Sequence, residues 1–173
     1  HGIQALHAPA LDVAMSMLSL AGSYAFIWLV IAAALLARKT TRQAGAAAVV
    51  SIALAEIVVA FLKRIFMRPR PFMVDSSVVL IIDPPGDWSF PSGHTAVACA
   101  CAVAIAMSLG ARRWRIWLPI AALAILMAFS RLYLFVHWPT DVLAGAVLGA
   151  FIGAVVALAA RRLSALMHQS STS

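Results

Sequence analysis

The sequence predicts an all-α protein, a polytopic bundle of about five transmembrane helices, on three observations. Hydrophobic residues make up 64% of the chain and charged residues 11%, where an ordinary soluble domain is about a quarter charged. Mean hydropathy is +0.97. The apolar residues fall into runs long enough to cross about 30 Å of hydrocarbon, and most basic residues gather at the boundaries between runs. Residues 1–173 read as one membrane-embedded domain whose core is helix packed on helix within lipid.

The N-terminal segment, 1–9, places Ile3, Leu6 and His7 at helical spacing, as a short interfacial helix does; a tag remnant is the other reading. A start at His1 rather than methionine leaves room for a signal sequence or a sixth span upstream. The first span is 11–37, with a kink expected at Gly22-Ser23. A brief basic turn leads to the second span, 44–62, which delivers Lys63 to the far interface. Glu56 lies inside that span, two helical turns from Lys63. It reads either as a packing residue or, being ionisable at membrane depth, as a functional one.

The long connection that follows, about 64–91, has the length of a lid or binding loop. Its Asp75, Asp83 and Asp87 are too scattered for a metal site and read as solvated charges. Residues 78–82 are apolar, suited to dipping into the interface or to packing. The third span, 92–110, opens with Pro91-Ser92-Gly93-His94: Ser92 can cap the helix, and its first amides suit a phosphate. Cys99 and Cys101, two apart on this helix, face different sides and form neither a disulfide nor a metal site.

The fourth span is 116–133, with Trp114 and Trp117 near the interface and Pro119 expected in its first turn. The fifth, 139–160, starts with Pro139 and carries Asp141 in its first turn, where the helix dipole favours a carboxylate. Gly145, Gly149 and Gly153 recur every fourth residue, a smooth face for close packing against another helix of the same chain. The tail after Arg162 reads as polar and frayed, with His168 solvated.

A net charge of +7 raises the question of nucleic acid, which the placement of the basic residues answers. Arg38, Lys39 and Arg42, then Arg112, Arg113 and Arg115, then Arg161 and Arg162 occupy alternate boundaries, as the positive-inside rule expects of a cytoplasmic face. Lys63, Arg64, Arg68, Arg70 and Arg131 gather at the other face. Basic residues divided by a bilayer, with no interleaved aromatic stripe, do not make a nucleic-acid surface. Alternating spans also bring Lys63 to His94 and Arg131 to Asp141 to one side, the extracytoplasmic one.

Chemistry concentrates in the stretch from Ser130 to Asp141. A histidine with an aspartate four residues on can have one ring nitrogen held by the carboxylate, which leaves the other nucleophilic or basic. Arg131 adds a positive fork suited to phosphate. Lys63, six residues, Arg70-Pro71; then Pro91-Ser92-Gly93-His94; then Ser130-Arg131, five residues, His137, three residues, Asp141: in this order the blocks resemble the three-part signature of the type-2 phosphatidic acid phosphatase superfamily. The resemblance spans 63–141, every specified position matches, and the flanks match only in being apolar.

This resemblance implies an integral-membrane lipid phosphatase, a phosphoric monoester or diphosphate hydrolase of the small prokaryotic form. It implies His137 as the nucleophile that becomes phosphohistidine, Asp141 as its orienting partner, and His94 as the acid that protonates the leaving oxygen and then activates water. Lys63, Arg70, Ser92, Gly93 and Arg131 would hold the phosphoryl oxygens. Three cations supply the charge that a metal otherwise would, so no metal and no cofactor are expected. The substrate implied is a membrane lipid phosphate or diphosphate, of the undecaprenyl pyrophosphate, phosphatidylglycerophosphate or phosphatidic acid class. It would be met in the cytoplasmic membrane at a site facing the periplasm or exterior. Two alternatives stay open here: vanadate-dependent haloperoxidase-like activity, although those relatives are soluble, and a lipid-headgroup binder or transporter that does not cleave, for which two histidines are superfluous.

Overall fold

The computed structural model describes residues 2–75 and 77–170; His1 and the side chain of His168 lie outside the described residues. Helices α1 (Pro9–Gly22), α2 (Phe26–Leu36), α3 (Arg42–Phe66), α4 (Pro71–Val74), α5 (Gly93–Leu109), α6 (Trp114–Tyr133) and α7 (Pro139–Ser170) follow one another, and no strand occurs among the described residues. Four stretches are long and apolar enough to cross a membrane: Pro9–Leu36, Arg42–Val74, Ala111–Tyr133 and Pro139–Met167. With α5 between them they form a multi-pass bundle.

Helix α5 is the axis of the bundle. It is apolar on every side, with Ala96, Val97, Ala98, Ala100, Cys101, Ala104 and Ile105 all buried, the pattern of a helix surrounded by others. Its 17 residues rise about 25 Å. The expected glycine face packs on it within the chain. A Cβ at Gly145, Gly149 or Gly153 would fall 2.6, 2.1 or 2.4 Å from the carbonyl oxygens of Ser92, Ala96 and Ala100, so only glycine permits this approach. The same seam brings the N-termini of α5 and α7 together, where the Ser92 amide donates to the Asp141 carbonyl at 3.0 Å.

The break in the first span is sharper than a kink. Tyr24 and Ala25 take left-handed backbone, with φ of 52° and 58°, within a 3-10 turn at Ser23–Ala25. The N-terminal helix is a single 3-10 turn, Gln4–Leu6. It is tied to the end of α6 by Gln4 Nε2 donating to the Leu132 carbonyl at 3.0 Å and by His7 stacking on Tyr133 at 4.7 Å.

Other boundaries differ from expectation for local reasons. Gly110, at φ 73°, turns the chain into a 3-10 turn that merges with α6 at Trp114, so Pro119 sits beyond the first turn. Helix α7 does not fray after Arg162 but runs on to Ser170, since Leu163, Ala165, Leu166 and Met167 favour helix and no Gly or Pro stops it. Of the apolar loop segment, Leu80, Ile81 and Ile82 pack on a cluster of Met15, Tyr133, Leu134 and Val136.

Candidate active site

All three sequence blocks meet at one end of the bundle. A cavity of about 200 Å³ there is lined by Lys63, Arg70, Gly93, His94, Arg131 and His137, and also by Gly22, Tyr24, Glu56 and Asp87. Lys63 comes from the last turn of α3, Arg70 from the residue before α4, His94 from the first turn of α5, and Arg131 from the last turn of α6. His137 is in the loop before α7, Asp141 in the first turn of α7. Helix termini supply nearly every group, so the polar atoms lie where helices leave the apolar layer.

His137 and Asp141 pair as their spacing suggests, Nδ1 to Oδ2 at 3.5 Å, both buried. Ser89 donates its hydroxyl to Asp141 Oδ2 at 2.5 Å and lies 3.4 Å from His137 Nδ1. The Trp138 amide adds a bond to Oδ2 at 2.9 Å, and Arg68 bonds Oδ1 at 2.7 Å. On the ring's other side, Arg70 Nη1 lies 3.2 Å from Nε2. A guanidinium only donates, so Nε2 is the bare nitrogen and the proton sits on Nδ1, facing the carboxylate.

Burial pushes the His137 imidazole down to about 4; the Asp141 bond opposes this, and the charges of Arg70, Arg131 and Lys63 reinforce it. The ring is therefore neutral near pH 7, with a free lone pair.

Arg70 is buried and fully engaged. It bonds the Asp87 carbonyl through Nε at 2.8 Å, the Val136 carbonyl through Nη1 at 2.7 Å, and the Asp87 carboxylate through Nη2. Lys63 Nζ bonds the same carboxylate. Asp87 is thus not the solvated loop charge expected from sequence. Burial works against its ionisation, but Lys63 and Arg70 outweigh that and hold it below the usual carboxylate range. Arg131, only 2% exposed, gives Nη1 to Ser19 Oγ at 2.5 Å and keeps a buried Nε without a partner. His94 Nε2 lies 3.2 Å from the Ser19 carbonyl.

Ser92 precedes α5 but does not cap it through its side chain. Its hydroxyl pairs with Thr95 Oγ1 at 3.0 Å, because three residues on lies a hydroxyl of the same buried face. Glu56 is exposed on α3 and lines the cavity, which removes its reading as a buried packing residue. Among the described residues no three His, Cys, Asp or Glu side chains are grouped to hold a metal.

Sequence reasoning missed Ser19, Gly22, Arg68, Asp87 and Ser89. Arg68 reads from sequence only as one of the basic residues gathered at this face, and its place two residues before Arg70 is the one available signal. Ser89 and Asp87 stand just before Pro91, close in sequence to a recognised block. Gly22 reads from sequence only as the place of a kink, and Ser19 carries no local signal.

A family model described as the PAP2 superfamily matches residues 44–165. An undecaprenyl-diphosphatase of Sulfolobus acidocaldarius is 34% identical over 127 residues, 73% of this chain and 60% of that one. The chain thus spans less than two thirds of that relative. A decaprenylphosphoryl-5-phosphoribose phosphatase of Mycobacterium tuberculosis is 34% identical over 141 residues, 78% of this chain and 72% of that one. The crystal structure of Aquifex aeolicus LpxE superposes with a TM-score of 0.77 at 29% identity, covering 89% of each chain.

Proposed function

The chain belongs to the PAP2 superfamily, and from that premise we propose that it removes the terminal phosphate from a polyprenyl-type lipid phosphate or diphosphate at the extracytoplasmic face of the membrane, through a phosphohistidine. The convergence of both histidines and three cations on one cavity carries this reading. Binding a headgroup needs the cations; cleaving it needs the imidazoles as well. The two relatives above are named for acting on polyprenyl lipids, one as a diphosphatase and one on a phosphorylated sugar, and what those substrates share is a terminal phosphate on a headgroup carried by a long isoprenoid.

In this mechanism the phosphate dianion takes the place of the Asp87 carboxylate on Lys63 and Arg70, and the unpartnered Arg131 Nε gives a further donor. Arg70 releases Nε2 of His137, whose lone pair attacks phosphorus while the bond to the leaving oxygen breaks. Asp141 holds the Nδ1 proton and steadies the positive ring that results. His94 gives its proton to the leaving oxygen. It then takes one from water, whose oxygen displaces His137 from phosphorus and releases inorganic phosphate. Packing alone leaves room for a side chain at Gly93, where a Cβ meets only Val59 at 3.4 Å, so the bare backbone serves the cavity side. With three cations present, turnover is independent of Mg²⁺.

Phosphate release from a panel of polyprenyl and glycerophospholipid phosphates, in chelator, tests the reading. A polyprenyl substrate should lead, and denatured enzyme quenched during turnover should carry acid-labile, base-stable phosphate. Strict metal dependence, or no release from any lipid phosphate, would overturn it.

A further inference from the structure

Helix α1 ends at Gly22, and how it ends bears on His94. Ser23 takes extended backbone, ψ 138°, and donates its amide to Leu20, so the Ser19 carbonyl lacks the amide four residues on that a continuing helix would supply. Two other donors reach it, Ser23 Oγ at 3.2 Å and His94 Nε2 at 3.2 Å. A carbonyl can only accept, so Nε2 carries the hydrogen. Nδ1 is then the nitrogen free to exchange a proton. The hydroxyl of the same Ser19 receives Arg131, so one buried residue backs both a histidine and a cation of the cavity.

Gly22 completes this support. A Cβ there would lie 2.8 Å from His94 Cδ2 and 2.6 Å from Met127 Cε, and Met127 is itself fully buried. The matched family region begins at residue 44, so both residues stand outside it.

We propose that Ser19 and Gly22 are positioning residues of the site: the broken end of α1 holds His94 as its Nε2–H tautomer and anchors Arg131. The proposal rests on the phosphatase reading for its kinetic consequence. The proton that leaves for the ester or anhydride oxygen, as its bond to phosphorus breaks, comes from Nδ1 of the imidazolium. The proton taken from water returns to the same atom. An acceptor fixed on one ring nitrogen sets the role of the other.

The test uses the full chain in detergent with undecaprenyl diphosphate. Gly22→Ala should lower kcat by about a hundredfold, the scale of misplacing a catalytic group by an ångström, with KM little changed and the pH limb of His94 displaced. Gly22→Ala combined with Met127→Ala relieves the methionine collision but not the histidine one, so thermal stability should return and kcat should not. Ser19→Ala should raise KM about tenfold, the worth of one hydrogen bond to a charged group, and Ser19→Thr should restore it. Apart from activity, the ¹⁵N-histidine spectrum, assigned with His94→Ala and followed across pH, should show the neutral form of His94 protonated on Nε2 and the acidic form on both nitrogens. Recovery of kcat in the double variant, or a proton on Nδ1 of neutral His94, would overturn the proposal. A wild type that turns over no lipid phosphate would sink the phosphatase reading instead, while the spectrum still decides the tautomer.

Discussion

The two ends of the bundle are both basic and use their charges differently. At the end opposite the cavity, Arg113 donates to the Thr40 carbonyl at 2.6 Å and Arg161 to the Met107 carbonyl, while Gln43 bonds the Ala160 carbonyl at 3.3 Å and Ser164 at 3.1 Å. These are exposed contacts, all but the one to the Ser164 hydroxyl made to backbone, and among the described residues no carboxylate accompanies them. At the cavity end Lys63 and Arg70 share Asp87, Arg68 pairs with Asp141, and Arg131 is sunk beside two histidines. Exposed cations on carbonyls can lose a partner to water at little cost, which suits residues whose role is to fix orientation in the membrane. Buried cations held by carboxylates are expensive to assemble, and their clustering is what a transferring phosphate requires.

Substitutions at the two ends should separate these roles. His137→Ala should remove turnover and the trapped phosphoenzyme together; retained burst formation of phosphoenzyme would assign the nucleophile elsewhere. Arg131→Ala should lower kcat by about a hundredfold, one transition-state donor being worth about 3 kcal/mol, measured by phosphate release under saturating substrate.

The pH profile should follow from His137, whose neutral form is the nucleophile in the proposed mechanism. With its folded value near 4 against an ordinary 6.5, kcat/KM should show no limb from this residue near 6.5 and should fall about tenfold per pH unit below about 4. The unfolded chain binds this proton first, so the same depression lowers stability as pH falls from 6.5 towards 4; thermal unfolding against pH checks the sign.

Asp87→Asn takes away the carboxylate that competes for Lys63 and Arg70. Product phosphate should then inhibit several-fold more tightly, on the scale of about 1 kcal/mol for a half-exposed pair; weaker inhibition would make Asp87 a support for the cations rather than a placeholder. Arg113→Ala, at the opposite end, should leave kcat and KM within about twofold of wild type, since its surface bond contributes little. A large kinetic loss there would erase the distinction between the two ends.

Much of the candidate site could be read before any fold was known because the groups involved sit at span boundaries. Lys63, His94, Arg131 and Asp141 each follow or precede an apolar run, so alternation alone puts them on one side. Asp87 was misread because a loop aspartate between Gly86 and Trp88 looks like any solvated charge. Its engagement depends on where two helix ends deliver Lys63 and Arg70. Pro119 and the end of α7 were misplaced for a smaller reason, the weak local signals that start and stop a helix.

The sequence by itself determined the membrane bundle, the meeting of the polar blocks at one end of it, and the two histidines and three cations that line the cavity, because hydropathy, basic clusters and motif spacing are properties of neighbouring residues. The tertiary structure alone decided that Asp87 occupies the cations, that Ser89 and Arg68 brace Asp141, and that Ser19 backs His94 and Arg131. Those pairings join positions 73 residues apart in the case of Arg68 and Asp141 and 112 in that of Ser19 and Arg131. They come from close helix packing along the glycine seam and from a helix that breaks at Ser23; local spacing marks the seam and the break, but not which distant side chains they bring together.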